Sequence, residues 1–565
     1  MNTMLAFYRN IGTCIVLLFI LASTTFPTMK LLGQTGTSAS IQMTDVTAES
    51  RVGFVHSSFA SGRGYLVEGM TGGIALFDYD HDGLIDIFFT NGCPLRGATS
   101  EIESRHALYR NLGGWKFEDV TEASGLGFRG YGLGVVVADY DNDSNQDLFI
   151  TTFGRSVLYR NNGDKTFTDV TQKAGVAGNF SVGAGACFVD VDRDGYLDLF
   201  AASYVDFKYE NHVPVLVKGQ YLLAGPSYYN KLPNALFRNR RDGTFEDISV
   251  RSGIARVSGP GMGVVAADFD DDGDQDIFVA EDASPNLLFQ NDGKGNFEEV
   301  GLLSGVAVNF EGKTNGSMGV DCADVDGDGL LDLFVTNYQS EMPVLYRNLG
   351  GGLFEDATRK SQIPSTLFPH VNWGIGIVDF DNDGNRDIFI ANGHFDRVEL
   401  MDDRTSLKVP NFLLRNMGRG KFLDVSKTSG SGMAIVESSR GAAFDDLDND
   451  GDIDAVVLNS NSSPSLLRND STNNNHWLQI SLQGTSSNRD GVGARVRVFV
   501  GESVLIDEVH SGRGYQSHFG SRLHFGLGKH NQVKQIEVRW PDGKIEKFGA
   551  SKANQYLPLE QGSAN

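Results

Sequence analysis

The chain has 565 residues, 40% of them hydrophobic, with 68 Gly and 14 Pro; it is too long for one ordinary core and too apolar for a collagen-like or disordered polymer. Its formal net charge is −24, with 72 Asp and Glu against 48 Lys and Arg. This argues against a nucleic-acid partner, because phosphate binding needs clustered basic residues, and makes cations the natural partners.

Arg9 precedes an apolar run from Ile11 to Ala22, which gives way to Ser23, Thr24 and Thr25. The pattern predicts a signal peptide over about residues 1–30, cleaved somewhere in residues 22–40. The run is short for a bilayer span, and Pro27 and Lys30 end it. No stable membrane span is therefore expected after cleavage, and the mature chain is expected to be secreted or held at the cell surface or in the periplasm; retention as an anchor is the alternative. Cys14 lies in this segment. Cys93, Cys187 and Cys322 remain, an odd and widely spaced set that excludes a disulfide framework. Cys187 and Cys322 fall in apolar strand sequence and are expected as buried thiols.

From residue 78 onward the pattern D-x-D-x-D-(G/S)-x-x-D occurs seven times, its starts 51 to 78 residues apart. The first copy offers Asp78, Asp80, Asp82, Leu84 and Asp86, and the second Asp139, Asp141, Asp143, Asn145 and Asp147. The third offers Asp190, Asp192, Asp194, Tyr196 and Asp198, and the fourth Asp268, Asp270, Asp272, Asp274 and Asp276. The fifth has Asp324, Asp326, Asp328, Leu330 and Asp332, and the sixth Asp379, Asp381, Asp383, Asn385 and Asp387. The seventh has Asp446, Asp448, Asp450, Asp452 and Asp454.

Carboxylates at alternate positions can converge on one cation if the chain turns tightly, and Gly at the sixth position permits that turn. The seventh residue would add a backbone carbonyl and the ninth a closing carboxylate. All-oxygen ligation favours Ca²⁺ over Zn²⁺ or Mg²⁺, so up to seven structural Ca²⁺ ions are expected. Ser144 stands at the glycine position of loop two, which predicts weaker binding there. An EF-hand is excluded, because it needs Glu at position twelve and flanking helices; that position is Phe89 in the first loop and Ile150 in the second.

Short apolar, β-branched and aromatic runs flank each loop, such as Gly132, Gly134, Val135, Val136, Val137 and Ala138 before Asp139, and Leu148, Phe149 and Ile150 after it. Each unit adds a Leu-aromatic-Arg-Asn stretch and an aromatic-x-Asp-Val-Thr stretch, seen as Leu158, Tyr159, Arg160, Asn161 and Phe167, Asp169, Val170, Thr171. Four strands per unit predict an all-β fold, a seven-bladed β-propeller with one calcium loop per blade. The last unit stops at Leu467, Arg468 and Asn469, whereas an unmatched final strand, with Met43, Asp45, Val46 and Thr47, precedes the first loop. The segment from about Ile41 to Thr47 is therefore expected to close the ring.

The loops resemble FG-GAP or VCBS repeats over residues 41–470. That resemblance implies metal loops gathered on one rim, with the other rim free for a ligand. The longest interval between loops carries an insertion from Tyr204 to Leu232 with Tyr209, Tyr221, Tyr228 and Tyr229, which either meets a ligand or packs on a neighbour.

Beyond the polar linker from Ser471 to Asn475, alternating strand sequence opens at His476 without a metal loop. The stretches from Asn488 to Arg495, Gly512 to Tyr515, His524 to Gly528 and Trp540 to Gly543 are similar to the ASPIC/UnbV domain, which follows FG-GAP-type propellers in the cartilage acidic protein 1 class and its bacterial relatives. A small β-sandwich-like domain is expected over residues 474–550. Its glycines read as turn and bulge residues, with Arg489, Arg495, Arg513 and His524 as an alternative anion or glycan site. No H-E-x-x-H, G-x-S-x-G, P-loop or Cys-His spacing occurs. The sequence thus predicts a non-enzymatic, calcium-dependent recognition or adhesion module, a monomer that binds an extracellular protein or polysaccharide. A lyase-like polysaccharide enzyme and a structural spacer are the alternatives.

Overall fold

The computed structural model describes residues 41–564 apart from 99–103, 179–180, 397, 401 and 403. The expected signal peptide lies outside the described residues, among which no helix is long and apolar enough to cross a membrane. The fold is all-β.

Each Asp loop joins the first two strands of a four-stranded antiparallel unit. In the second unit these are Tyr131–Ala138, Asp147–Phe153, Val157–Asn161 and Phe167–Asp169, paired in that order. The other first strands are Ile74–Phe77, Gly183–Val189, Gly261–Ala267, Asn315–Ala323, Asn372–Val378 and Ser439–Asp445. Units four and five are also bridged, with Asp282 opposite Gly316. The unit around the seventh loop takes its fourth strand from the start of the described chain: Met43–Asp45 pairs antiparallel with Ser465–Asn469, Met43 opposite Asn469. Both faces of the first strands are covered, so Val135, Val136, Val137 and Ala138 are all buried and no polar alternation appears.

The first strands touch in chain order, and Ser439–Asp445 touches Ile74–Phe77. Seven glycines permit this approach. A Cβ at Gly73, Gly134, Gly185, Gly263, Gly319, Gly374 or Gly441 would stand under 3.0 Å from a backbone oxygen of the neighbouring unit: Leu133, Ala184, Met262, Met318, Trp373, Arg440 and Gly72 respectively. The last of these returns to the first unit.

The C-terminal module has two larger sheets and a short two-stranded one, Gln532–Val533 with Ser551–Lys552. His476–Gln483 lies between Leu523–Gly528 and Tyr556–Glu560, the latter parallel to it; Arg495–Val500 lies between Ser503–Glu508 and Gln535–Arg539, beside which runs Ile545–Phe548. The strand Tyr556–Glu560 extends past residue 550, so the sheet ends later than the sequence motifs suggest.

Between Ser503–Glu508 and Leu523–Gly528 the chain leaves this module and enters the space between the first strands. His518 donates its N–H to Ile74 O (2.8 Å) and accepts from Leu76 N (3.0 Å), while Gln516 O accepts from Val135 N at 3.1 Å. Ser511 Oγ donates to Val137 O at 2.7 Å, and His510 Nδ1 lies 2.9 Å from Ala266 O. Gly512 lies against Ala186, and Gly514 exchanges backbone hydrogen bonds with Val320 at 2.8 and 3.0 Å. The Tyr515 ring meets Trp373 edge-on at 5.0 Å, and Phe519 meets Phe444 at 5.2 Å. One loop thus touches all seven first strands or the residues beside them.

Arg513 in this loop pairs with Asp321, their side chains 6% and 0% exposed, with Nε donating to Oδ1 at 2.7 Å. Breaking a buried pair strands its partner's charge, so Arg513→Ala should cost about 3–5 kcal/mol. Arg96→Ala breaks an exposed, solvent-screened pair with Glu210 and should leave the midpoint nearly unchanged. Urea unfolding midpoints of the two variants provide the check.

Candidate metal centres

Local hydrogen bonds set the shape of each Asp loop. In the sixth loop, Asp379 Oδ1 accepts from Asp383 N at 3.2 Å and Oδ2 from Gly384 N at 2.8 Å, while Asp383 Oδ1 accepts from Asn385 N at 2.8 Å. The sixth position is left-handed, with φ of 92° at Gly384. Ser144 adopts the same region in loop two, with φ of 75°, and its N–H donates to Asp139 Oδ2 at 2.6 Å. The substitution is strained but leaves the loop's form unchanged.

The position-nine carboxylates are fixed from both sides. Asp387 Oδ2 accepts from Phe380 N at 3.1 Å and Oδ1 from Asn416 N at 2.8 Å. Asp86, Asp147, Asp198, Asp276, Asp332 and Asp454 accept the same two backbone donors in their own units.

Within single loops, carboxylate oxygens of Asp78, Asp80 and Asp82, of Asp139, Asp141 and Asp147, of Asp190, Asp192 and Asp194, of Asp268, Asp270 and Asp272, and of Asp324, Asp326 and Asp332 lie within 4.8 Å of one another. Buried Oδ1 atoms of Asp80, Asp141, Asp192, Asp381 and Asp448, all at position three, have no hydrogen-bond partner among the described residues. A buried acceptor without a donor, set among like charges, fits a cation. Several of these clusters could therefore bind a metal, and oxygen-only donors suit a hard divalent ion.

The arginine that the repeat places on its third strand braces these ligands. Arg110 pairs with Asp80 and Asp82, each at 2.7 Å, Arg160 with Asp141 at 2.6 Å, Arg415 with Asp381 at 2.6 Å and Arg347 with Asp326 at 3.2 Å; Arg238 pairs with Asp192. In loop four Gln290 Nε2 donates instead to Asp270 Oδ2 at 2.6 Å, and in loop seven Trp115 Nε1, from the next unit, donates to Asp448 Oδ2 at 2.6 Å.

The asparagine after that arginine has a role the sequence reading missed. Asn348 Nδ2 donates to Leu331 O of its own loop (3.1 Å) and to Phe269 O of the preceding loop (2.8 Å). Asn161, Asn239, Asn291, Asn416 and Asn469 reach Tyr79, Tyr140, Val191, Val325 and Phe380 in the same way, at 2.8 to 3.0 Å. Asn111 reaches Leu447, from the first unit to the last, at 2.8 Å. The recurrence of Asn at one strand position was the available signal.

At position seven, the N–H groups of Leu84, Asn145, Tyr196, Asp274, Leu330, Asn385 and Asp452 all donate to the position-five carboxylate. The two acidic ones face the preceding loop: Asn382 Nδ2 donates to Asp452 Oδ1 at 2.7 Å, and Arg193 stands 3.6 Å from Asp274.

The C-terminal module covers this face. Asp490 Oδ2 accepts from Asp139 N at 2.8 Å, Gln479 Nε2 donates to Asp446 Oδ2 at 2.8 Å, and His524 Nε2 lies 2.6 Å from Asn382 Oδ1. Arg495 bonds Asp268 O at 2.6 Å and Asp271 at 2.9 Å, Arg539 pairs with Asp268, and Arg522 pairs with Asp445 at 3.0 Å. These contacts overturn the alternative reading of the module's basic residues. Arg495, Arg513 and His524 are buried against the repeats, and Arg489 donates to Gly484 O, so they do not form an open anion site. The tyrosine insertion divides: Tyr209 and Tyr229 pack on Phe207, whereas Tyr221 and Tyr228 are exposed.

A tandem Asp-loop repeat protein with a β-rich C-terminal module is the class these features define. The FG-GAP-like repeat profile matches residues 78–150, 139–201, 221–279, 268–335 and 324–390, and the ASPIC and UnbV profile matches residues 484–565. The chain belongs to the FG-GAP-like repeat family, with a C-terminal ASPIC and UnbV domain. Human cartilage acidic protein 1 is 26% identical over 510 residues, covering 86% of this chain and 71% of that protein. Among solved structures, an Agrocybe aegerita lectin that recognises non-reducing terminal N-acetylglucosamine has a TM-score of 0.37 at 16% identity, covering 70% of this chain and 87% of that one. A Bacillus licheniformis rhamnogalacturonan lyase has a TM-score of 0.35 at 12% identity, covering 70% and 71%.

Asn348→Ala removes two donors and leaves buried carbonyls unpaired, so it should lower stability by roughly 2–4 kcal/mol, read from the urea midpoint. The carboxylates also carry a pH signature. Burial first, with neighbouring carboxylates added, pushes Asp86, Asp139 and Asp332 from the ordinary 3.8 up to about 8. In the metal-free chain their stabilising contribution is full below 3.8 and is lost as pH rises through about 8. A bound cation takes the place of those protons. The gain in melting temperature on adding Ca²⁺ should therefore be larger at about pH 8 than at about pH 5; an equal gain would exclude these carboxylates as the site.

Proposed function

We propose that this chain is a secreted, calcium-stabilised, non-enzymatic recognition protein. In this reading residues 41–470 form a closed seven-bladed β-propeller, each blade with one structural Ca²⁺, and a β-sandwich-like ASPIC/UnbV domain sits on its metal-loop rim. The protein works as a monomer and binds an extracellular protein or polysaccharide.

The observation that carries the reading is the unequal treatment of the two ends of the strands. The Asp loops join first to second strands, and their end lies beneath the C-terminal module. Connections between second and third strands leave from the other end, where Tyr221 and Leu222 of the insertion and His394, Phe395, Asp396, Leu407 and Lys408 border a cavity of about 370 Å³. Metal and recognition are thus separated: the ions hold the loops, and the opposite surface meets the partner.

At about 1 mM Ca²⁺, sites with dissociation constants of about 10⁻⁴–10⁻³ M each contribute roughly 0.4–1.4 kcal/mol. Summed over the loops, that is comparable to the stability of a whole domain. Chelation with EGTA should lower the melting temperature markedly; an unchanged curve would remove the structural role of the loops. Retention of the mature chain on extracellular material should be seen with Ca²⁺ and lost without it. Shortened chains or new unsaturated ends in a bound polysaccharide would replace the binding reading with a lyase.

A further inference from the structure

Arg440, on the strand Ser439–Asp445, lines the cavity on the face away from the Asp loops and is only 2% exposed. Four of its five N–H donors go to neutral oxygens: Nε to Gly69 O at 3.1 Å, Nη1 to Ser438 Oγ at 3.1 Å and Ser439 O at 2.9 Å, and Nη2 to His394 O at 3.2 Å. Its guanidinium stands 4.4 Å from the centre of the Trp373 ring and 5.6 Å from that of Phe395.

Among the described residues no carboxylate lies within ion-pair distance of it. The other deeply buried arginines each have one: Arg386 with Asp507, Arg495 with Glu508, Arg513 with Asp321 and Arg522 with Asp445. A buried charge held only by neutral groups is costly, and burial accordingly pulls Arg440 down to about 10. One N–H and the net charge remain for an anion.

The other walls restrict that anion. Glu68 and Asp396 line the same cavity together with Lys408, whose ammonium is paired with Glu437 at 2.8 Å; the two carboxylates can accept hydrogen bonds from sugar hydroxyls and repel a multiply charged phosphate. Phe395 and the exposed Tyr221 supply ring faces. The volume of about 370 Å³ suits one or two sugar rings. We propose that this cavity binds a carboxylate-bearing sugar, a uronate residue of an extracellular polysaccharide, with its carboxylate at Arg440 and its ring against Tyr221. The proposal rests on the recognition reading above and adds to it the ligand's class and the residues that meet it.

The test is calorimetric titration of the mature full chain, saturated with Ca²⁺, using oligogalacturonate, oligoglucuronate, the methyl ester of each, and inorganic phosphate. At least one free acid should bind, its ester about tenfold or more weakly, and phosphate should not compete. Arg440→Gln, which removes the charge, should abolish the preference for acid over ester. Where that variant fails to fold, Tyr221→Ala, on the exposed hairpin strand Gln220–Leu222, should weaken binding about threefold to tenfold at an unchanged melting temperature. Equal affinity for acid and ester, or for wild type and Tyr221→Ala, would overturn the assignment. If the chain retains extracellular material but ignores uronates, the cavity assignment fails while the recognition reading stands; if it retains neither, both fail.

Discussion

Each asparagine that ends a third strand binds two carbonyls with one amide, one in its own Asp loop and one in the loop of the unit before it. Its backbone N–H meanwhile holds the position-nine carboxylate. One residue therefore fixes the shape of a loop, the placement of a carboxylate and the spacing between neighbouring units. The contact from Asn111 to Leu447 extends this from first unit to last. Without it, the carboxylate clusters would belong to independent turns; with it, distortion of one loop is felt in the next.

The carboxylates create an electrostatic problem that the fold answers at two depths. Arginines of the third strands neutralise the outer oxygens of the loops, while inner oxygens such as Asp80 Oδ1 and Asp192 Oδ1 find no donor among the described residues. Arginines of the C-terminal module compensate Asp268 within the fourth cluster and, outside the clusters, Asp321 and Asp445. The module thus serves as a counter-charge to the repeats as well as a cover, which explains why Arg495, Arg513, Arg522 and Arg539 face inward. Arg440 is the exception to this pairing, and it lies at the other end of the strands.

The strands beside the Asp loops were legible because they are short, apolar and bounded by turn residues, and the strand Met43–Asp45 was legible because one repeat signature precedes the first loop while the seventh unit lacks it. The role of the clasping asparagines was not legible: the motif was visible, but its partner is a backbone carbonyl of another unit, and carbonyls carry no sequence signal. The central loop was hidden for a related reason. Gly512, Gly514 and their neighbours read as turn residues, and only the apolar Tyr515 and Phe519 in a polar stretch hinted at burial. Arg440 left no trace at all, since an unpaired buried charge is defined by what is missing around it.

The strand Met43–Asp45 has its hydrogen-bonding partner more than four hundred residues further along the chain, and the loop that enters between the first strands comes later still. During synthesis, this strand stays without its partner until residues 465–469 have emerged. Intermediate lengths carry open sheet edges and an unfilled centre, the surfaces most prone to wrong pairing. Completion of that sheet therefore requires residues 465–469, and a product shortened before them would keep the open edge.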